Sequence, residues 1–343
     1  MKSEIESIGG DASFRRFYRF KLNKSSKIIV TTKREKYKNL IVYSAINKFL
    51  RDRGIYTPRL ISKNFKKGFI EIEDFGNKTL FDHLKKSKDK LKLYKKSIDV
   101  ILKIQKISLN NLTLHKEKIK YGTNKYLTLK YYNRKKLHRE SDLFFDWYLS
   151  KLVGKKKTLK YKKNIKKELD KIYKKIFFRN IVVVHRDFHV SNIMPNNKKL
   201  GIIDTQDSII GNPFYDLASL IDDVRVKISK KNKEILFNYF FRKSHKLKND
   251  HLFYSYKKEI PIGSNLHFES FSDYYILSAQ RLLKILGIFV RLHMRDGKSN
   301  YLKYLPNTWH LLEEKLQHPY FFKVRKLLDK AVSKNKRKNI LFK

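Results

Sequence analysis

Two short apolar runs, each followed at once by polar residues, constrain the fold of this chain most strongly. They span residues 181–184 and 201–203, and they interrupt a region in which apolar residues otherwise recur at helical spacing. A short apolar run that ends in polar residues is typical of a buried strand that delivers side chains to a site. We therefore predict two buried strands within a mainly helical region, and a functional site where they end.

The first run leads into residues with catalytic spacing. His185, Arg186 and Asp187 follow it, and four residues separate Asp187 from Asn192. This spacing matches the catalytic loop of kinases. In that chemistry the aspartate orients an acceptor hydroxyl and takes its proton, while the asparagine ligates Mg²⁺. The motif therefore predicts phosphoryl transfer from ATP, with Asp187 and Asn192 as catalytic residues.

The second run ends at Asp204, where a kinase places the aspartate that chelates Mg²⁺ at the β- and γ-phosphates. Mg²⁺ prefers one or two protein oxygens together with substrate phosphates, and Asn192 with Asp204 supplies them. A single aspartate after a strand is also common as a helix cap or a turn residue. Because the complete ordered set is hard to obtain by accident, we predict that Asp204 is catalytic and that Asn192 and Asp204 hold the metal.

The patterns along the chain predict an α+β fold of two lobes. At 343 residues the chain exceeds the length at which one hydrophobic core stops growing. Residues 1–75 are predicted to form a small β-rich nucleotide-binding lobe, and residues 76–343 a larger, mainly helical catalytic and acceptor-binding lobe. The predicted strands are 14–22, 27–32, 60–64 and 68–73, with a helix over 37–53. Later helices are predicted over 79–86, 91–107, 137–151, 164–178, 213–227, 274–295 and 319–333.

The central motifs resemble those of the aminoglycoside/choline phosphotransferase superfamily, which has a protein-kinase-like fold. The resemblance is carried by residues 185–194, 203–208 and 211–220. Residues 9–19 and 280–298 resemble the anomeric N-acetylmuramate/N-acetylglucosamine kinases of bacterial cell-wall recycling. The resemblance implies ATP and Mg²⁺ as cofactors and the anomeric hydroxyl of an N-acetylated amino sugar as acceptor. Because the sequence has no cysteine and no apolar stretch of signal-peptide type, a cytoplasmic protein is expected. A choline, homoserine or aminoglycoside acceptor is the alternative, and 80 basic against 32 acidic residues disfavour the polycationic aminoglycosides.

The same resemblance implies roles for further residues. The loop that covers the nucleotide would include Gly10, Ser13 and Phe14, and the hinge that binds adenine would include Glu73, Asp74 and Phe75. Asp216 resembles a buried aspartate that braces the catalytic loop, and His185 and Arg186 are predicted to support that loop. For contact with the acceptor sugar the candidates are His189, Gln206 and Asp207, each of which is also compatible with packing or loop support.

The cation that grips the ATP phosphates is not evident from the sequence. Kinases use a strand lysine paired with a helix glutamate. Here Lys27 and Lys33 flank a predicted strand, and the following helix has no acidic residue between Lys36 and Arg51. Glu35 lies only two residues from Lys33. We take Lys33 as the candidate, and a kinase-like binder without activity stays the alternative, although the presence of the catalytic and metal residues argues against it.

A formal net charge of +48 is the dominant feature of the composition. Clustered basic residues indicate nucleic-acid binding, but here lysine is spread along the whole chain, so we predict no specific nucleic-acid partner. A basic nucleic-acid-binding protein on a degenerate kinase fold is the non-enzymatic alternative.

The absence of cysteine excludes disulfides and thiolate catalysis. No apolar run approaches the ~18 residues of a membrane span, so no membrane association is expected. The sequence leaves the oligomeric state open.

Overall fold

The structure, a computed structural model, describes residues 3–8, 15–23, 25–33, 38–107, 118–122, 124–196, 199–246 and 265–339. Two compact units emerge from the contacts between Cα atoms. Unit 1 comprises Met1–Lys130 and Val182–Ile210, and unit 2 comprises Tyr131–Ile181 and Gly211–Lys343. Within the described ranges, no helix is both long and apolar enough to cross a membrane. The lobe boundary near residue 75 is a different division, and it stays a prediction.

Unit 1 begins with a five-stranded antiparallel sheet. Its strands are β1 (Ser3–Ile8), β2 (Arg16–Leu22), β3 (Ser25–Thr31), β4 (Leu60–Asn64) and β5 (Phe69–Glu73). They are arranged in the order β1-β2-β3-β5-β4. The register places Ile28 opposite both Arg19 and Ile72. Four of the strands agree with the predicted ones within one or two residues, whereas β1 is not predicted, because its polar residues exceed its apolar ones.

The helix α1 (Lys38–Asp52) packs its apolar face on this sheet, as the spacing of its apolar residues predicts. Leu40 and Tyr43 of the helix share a buried core with Ile28, Val30 and residues of β5. The buried face of α1 also carries polar side chains, Ser44 and Asn47. Buried polar groups are costly unless they are hydrogen-bonded, so these residues indicate specific contacts on that face.

The remainder of unit 1 contains α2 (Leu80–Lys86), α3 (Lys90–Gln105) and a hairpin of β6 (Lys118–Gly122) and β7 (Lys125–Thr128). The first predicted buried strand is β8 (Val182–Val184), and all three of its residues are buried. A second hairpin pairs β9 (Ile193–Asn196) with β10 (Lys199–Ile202). The second apolar run therefore lies at the end of β10, as predicted, and β11 (Ile209–Gly211) follows at the boundary of the two units.

Unit 2 is helical. Its helices are α4 (Arg134–Leu143), α5 (Ser150–Val153), α6 (Lys155–Tyr173), α7 (Phe214–Ile221), α8 (Lys230–Lys246), α9 (Leu266–Asp296), α10 (Leu305–Lys315), α11 (Phe322–Ala331) and α12 (Lys334–Lys338), with a π-helical segment over Phe144–Leu149. The predictions omit α8, α10 and α12 and start α6 and α9 too late, because lysine-rich or polar first turns hide the helical period. They also end α7 too late, since the helix stops at Ile221. The α+β class is confirmed.

A buried ionic cluster lies inside unit 2. The Asp222 carboxylate lies 3.0 Å from Lys315 Nζ and 3.1 Å from Lys233 Nζ, and it accepts a hydrogen bond of 2.6 Å from Tyr274. Burial alone raises the pKa of Asp222, but the two ammonium groups and the hydroxyl donors lower that pKa to about 2. Burial lowers the pKa of Lys315 despite its anionic neighbour. The cluster therefore fixes a negative charge in the core of unit 2.

Candidate active site

The residues that follow β8 form a tight loop held by its own backbone. His185 is buried, and its Nε2 lies 2.9 Å from the carbonyl oxygen of Ile203, which ties this loop to the end of the β9–β10 hairpin. Arg186 has a left-handed backbone conformation with φ of 75°, which residues other than glycine rarely adopt. The carbonyl oxygen of Asp187 accepts hydrogen bonds from His189 N (2.9 Å) and Asn192 Nδ2 (3.0 Å). These bonds fold the loop back on itself between Asp187 and Asn192.

Asn192 and Asp204 lie on the same cavity of unit 1. The backbone amide of Ile203 donates to the carbonyl oxygen of Asn192 at 3.1 Å, so the two segments are neighbours. Asp204 also has a left-handed backbone, with φ of 63°. Its Oδ1 accepts hydrogen bonds from Arg15 Nη2 (3.0 Å) and Gln206 Nε2 (2.9 Å). The side chains of Arg15 and Gln206 thus both donate to the Asp204 carboxylate.

The donor set of this pair fits Mg²⁺. The Asn192 amide nitrogen is engaged by the Asp187 carbonyl, which leaves the hard amide oxygen for a ligand, and Asp204 adds a carboxylate. Within the described ranges no group of three or more histidine, cysteine or acidic residues gathers to hold a metal. A protein that supplies one or two oxygens and leaves the other positions to phosphates and water is typical of nucleotide-bound Mg²⁺. Asn192 and Asp204 would therefore hold the ion together with the nucleotide.

Arg15 is a site residue that sequence reasoning missed. Its side chain is only 6% exposed, and besides Asp204 it donates to Gln206 Oε1 at 3.0 Å. The guanidinium lies over the ring of Tyr43 at 5.1 Å and that of Phe17 at 5.8 Å from the centroids. Arg15 therefore carries a buried positive charge beside the predicted metal ligand. No signal in the local sequence distinguishes Arg15 from the other basic residues of the chain.

Helix α1 contributes two polar residues to this site. Tyr43 and Asn47 are four residues apart and therefore share one face of the helix. Asn47 Oδ1 accepts a hydrogen bond of 2.7 Å from the hydroxyl of Thr205, the residue after Asp204. Burial raises the pKa of Tyr43 to about 12, so its hydroxyl stays protonated. Although α1 carries no glutamate, it is tied to the segment that holds Asp204.

The segment that follows β5 is fixed by a buried ion pair. Arg19 Nε lies 2.6 Å from Asp74 Oδ2, Arg19 Nη2 lies 3.0 Å from Oδ1, and Asn77 also accepts from the guanidinium. Burial opposes ionisation of Asp74, but the bonds from Arg19 and from the backbone of Gly76 lower the pKa of Asp74. The side chain of Asp74, which the sequence predicts to belong to the adenine-binding hinge, is thus paired within the protein. Glu73 is likewise paired, 3.0 Å from Arg51.

Asn192, Asp204 and Tyr43 line a cavity of about 420 Å³ in unit 1. One part of its lining is apolar, and another part presents the side chains of Asn192 and Asp204, the predicted metal ligands. Phe75, which lies 4.5 Å from the ring of Tyr56 between centroids, belongs to the apolar part. The cavity is lined by Ile8, Phe17, Arg19, Ile28, Tyr43, Pro58, Ile72, Glu73, Asp74, Phe75, Gly76, Asn77, Thr79, Ser191, Asn192, Met194, Ile203 and Asp204. An apolar pocket with a few polar groups is the usual form of a nucleotide or ligand site.

The other predicted site residues occupy varied positions. Lys33 is exposed beyond β3, and Asp207 is exposed with its Oδ1 3.4 Å from Arg186 Nη1. His189 Nε2 lies 3.4 Å from Asn192 Nδ2. Asp216 is fully buried in α7 of unit 2, and its bracing role stays a prediction. The predicted loop residues Gly10, Ser13 and Phe14 lie outside the described ranges.

The chain is similar in sequence to two kinases. The N-acetylmuramate/N-acetylglucosamine kinase of Pseudomonas aeruginosa is 26% identical over 314 residues, which are 91% of this chain and 83% of that protein. The kinase of the same name from Neisseria meningitidis serogroup B is also 26% identical, over 310 residues that cover 88% of this chain and 83% of the relative.

Solved structures share the fold. An ADP-bound aminoglycoside phosphotransferase superposes with a TM-score of 0.57 at 14% identity and covers 93% of this chain and 94% of its own. A choline/ethanolamine kinase family protein from Mesorhizobium loti gives 0.55 at 12% identity, over 95% and 92% of the two chains. These confirm the predicted fold class. Residues 4–241 match the phosphotransferase enzyme family, and the chain belongs to that family.

Proposed function

We propose that this protein is an ATP-dependent kinase that phosphorylates the anomeric hydroxyl of N-acetylmuramate or N-acetylglucosamine. The observation that carries the proposal is the placement of Asn192 and Asp204 on one partly apolar cavity, beside the loop of Asp187. The acceptor is proposed from the relatives, whose names specify these two sugars. The reaction would take place in the cytoplasm, where ATP is available, and would return cell-wall sugars to metabolism.

The chain's own residues would divide the work as follows. Phe75 and the neighbouring apolar side chains would enclose the adenine, and Asn192 and Asp204 would hold Mg²⁺, which neutralises charge on the β- and γ-phosphates. Asp187 would accept a hydrogen bond from the anomeric hydroxyl and take its proton as the sugar oxygen bonds to the γ-phosphorus. The bond from that phosphorus to the β,γ-bridging oxygen breaks, and ADP leaves. Positioning and electrostatics supply most of the rate in such transfers.

A coupled assay of ADP release tests the acceptor. We expect turnover with N-acetylmuramate and N-acetylglucosamine, and none with choline, homoserine or an aminoglycoside. The 1-O-methyl glycoside of N-acetylglucosamine lacks the free anomeric hydroxyl and should bind without being phosphorylated. Turnover of that glycoside, or of a non-sugar alone, contradicts the proposal. Phosphorus-coupled NMR signals of the product would identify the phosphorylated carbon.

Substitution at the proposed base separates chemistry from binding. Asp187→Asn keeps the size and the backbone bonds of the loop, and we expect kcat to fall by about 10²–10⁴-fold with little change in the dissociation constant of ATP. Full activity of Asp187→Asn would contradict the proposed role. If the protein instead acted by binding nucleic acid, its affinity for nucleic acid would fall steeply with salt, and its activity would not depend on Asp187.

A further inference from the structure

The proposed reaction needs a positive charge at the nucleotide phosphates besides the metal, and the sequence offered Lys33 as the candidate for that charge. The first sheet of unit 1 offers several cations, and their surroundings distinguish them. A useful candidate must lie on the cavity side of the sheet, close to Asp204, and be held there by other protein groups. The following inference rests on the proposed ATP-dependent activity.

Lys27 and Lys33 do not meet these conditions. Lys27 and Ile28 are successive residues of β3, so their side chains leave opposite faces of the strand. Because Ile28 lines the cavity, Lys27 points away from it, and its Nζ lies 2.8 Å from Glu71 on that other face. Lys33 lies two residues past the end of β3 and is exposed.

Arg19 lines the cavity, but its guanidinium is already bonded to other side chains. Its guanidinium forms the two-pronged pair with Asp74 and also donates to Asn77, with both members of the ion pair nearly fully buried. Releasing it would leave the Asp74 carboxylate buried without its charge partner, which is costly. Arg19 therefore fixes the segment after β5 and is not the group that meets the phosphates.

Arg15 meets these conditions through its contacts. Its guanidinium lies 5.8 Å from the ring centroid of Phe17 and 5.1 Å from that of Tyr43, and both of these residues line the cavity. One nitrogen lies 3.0 Å from Asp204 Oδ1, the carboxylate proposed to hold the metal. A guanidinium has five donors in a planar fork, so a single arginine can contact a carboxylate and a phosphate at once. We infer that Arg15 is the side chain that contacts the polyphosphate of the bound nucleotide, in place of the strand lysine of kinases.

The adjacent residue provides a matched control. Arg16 has the same chemistry, but it is the next residue along the chain, and its side chain is exposed. We propose to measure the dissociation constants of ATP and adenosine by calorimetry at saturating Mg²⁺ for the wild type, Arg15→Met and Arg16→Met. For Arg15→Met we expect ATP binding to weaken by about 10- to 100-fold and adenosine binding to change less than about 2-fold. Arg16→Met should bind both like the wild type.

A second arm distinguishes a phosphate contact from a role as counter-ion of Asp204. In an Asp204→Asn background there is no carboxylate for Arg15 to neutralise. If Arg15→Met still weakens ATP binding by about 10-fold or more in that background, the inference is supported. If the effect disappears there, or if ATP and adenosine weaken by the same factor, Arg15 is only a structural partner and the inference is wrong.

The outcomes also separate this inference from the proposed function. A wild-type protein that phosphorylates the amino sugars, together with an Arg15→Met variant that binds ATP equally well, overturns the role of Arg15 alone. A wild-type protein that binds no ATP overturns both. If Arg15→Met does not fold, Arg15→Gln keeps hydrogen-bond donors but loses the charge, and the same two ligands are measured. Selective weakening of ATP binding in Arg15→Gln supports the phosphate contact, whereas unchanged ATP binding contradicts it.

Discussion

The side chains of Asn47 and Thr205, 158 residues apart in sequence, share a buried hydrogen bond of 2.7 Å. Asn47 belongs to α1, and Thr205 directly follows Asp204, so this bond joins the helix on the sheet to the segment that carries the proposed metal ligand. In kinases the corresponding helix is tied to a strand by an ion pair. Here the helix α1 is tied to the segment after Asp204 by a hydrogen bond between the Asn47 amide and the Thr205 hydroxyl. The position of α1 and that of Asp204 are therefore linked.

A double-mutant cycle tests this link. We expect Thr205→Val and Asn47→Leu each to lower the free energy of unfolding by about 1–3 kcal/mol, because each leaves a buried polar group without its partner. The double variant should be less destabilised than the sum, with a coupling of about 1 kcal/mol. Urea unfolding measures the stabilities, and kcat should fall in the single variants. Strict additivity of the two effects would contradict the link.

The Arg19–Asp74 pair predicts a large effect of a single substitution. Arg19→Met removes the positive partner and leaves a buried carboxylate, so we expect the free energy of unfolding to fall by about 3 kcal/mol. Lys21→Met is the control on the same strand, since Lys21 pairs with Glu4 at an exposed position and should matter little. Chemical denaturation measures both. Equal stabilities of the two variants would show that the pair does not fix this segment.

Gly201 controls the position of Phe75. A Cβ atom at position 201 would lie 2.5 Å from Phe75 Cε2, closer than atoms pack. We expect Gly201→Ala to displace the ring, lower the free energy of unfolding by about 1–3 kcal/mol and weaken adenosine binding.

Two further variants check this explanation. In Gly122→Ala the new methyl group meets only ordinary contacts at 3.7 Å, so binding and stability should stay near those of the wild type. Combining Gly201→Ala with Phe75→Leu should recover part of the lost stability, because the smaller side chain makes room. If the combined variant loses more free energy of unfolding than the two single variants lose together, crowding of the ring is not the cause.

The buried cluster of unit 2 predicts a pH dependence of stability. The pKa of Asp222 is about 2 in the folded protein against an ordinary 3.8. A depressed carboxyl pKa stabilises the folded state above the unfolded pKa, and this contribution of about 2 kcal/mol is lost as the pH falls from about 4 to about 2. Asp222→Asn should therefore show a shallower fall in the free energy of unfolding over that window. If the free energy of unfolding falls equally steeply with pH in the wild type and in Asp222→Asn, the low pKa is not that of Asp222.

Local patterns in the sequence predicted much of the fold and the positions of the two loops that carry the candidate site. Leu60–Asn64 and α1 follow from alternation and helical spacing, and the segments ending at Asp187 and Asp204 follow from apolar runs with catalytic spacing. The helix α8 was missed, because its lysine-rich first turn has no apolar period to detect. Resemblance to the phosphotransferase superfamily, confirmed by the family match, supplied the fold class.

The support around the site could not be predicted, because it depends on contacts between distant residues. Nothing in the local sequence of Arg15 indicates that its charge meets Asp204, 189 residues later. The same holds for Arg19 and Asp74, which are 55 residues apart. The polar pair Tyr43 and Asn47 on a buried helix face was visible in the sequence, and it could have indicated a site on that face.

The left-handed backbone of Asp204 restricts which residues can replace it. Asparagine and glycine tolerate this conformation, whereas longer and β-branched residues do so at a cost of about 1–2 kcal/mol. Neither tolerated residue carries a negative charge, and glutamate, which keeps the charge, does not suit the backbone. Aspartate is therefore the residue that suits both this backbone and the proposed metal-binding role. We expect relatives that keep this turn and hold a metal with it to retain aspartate even where the surrounding sequence has diverged.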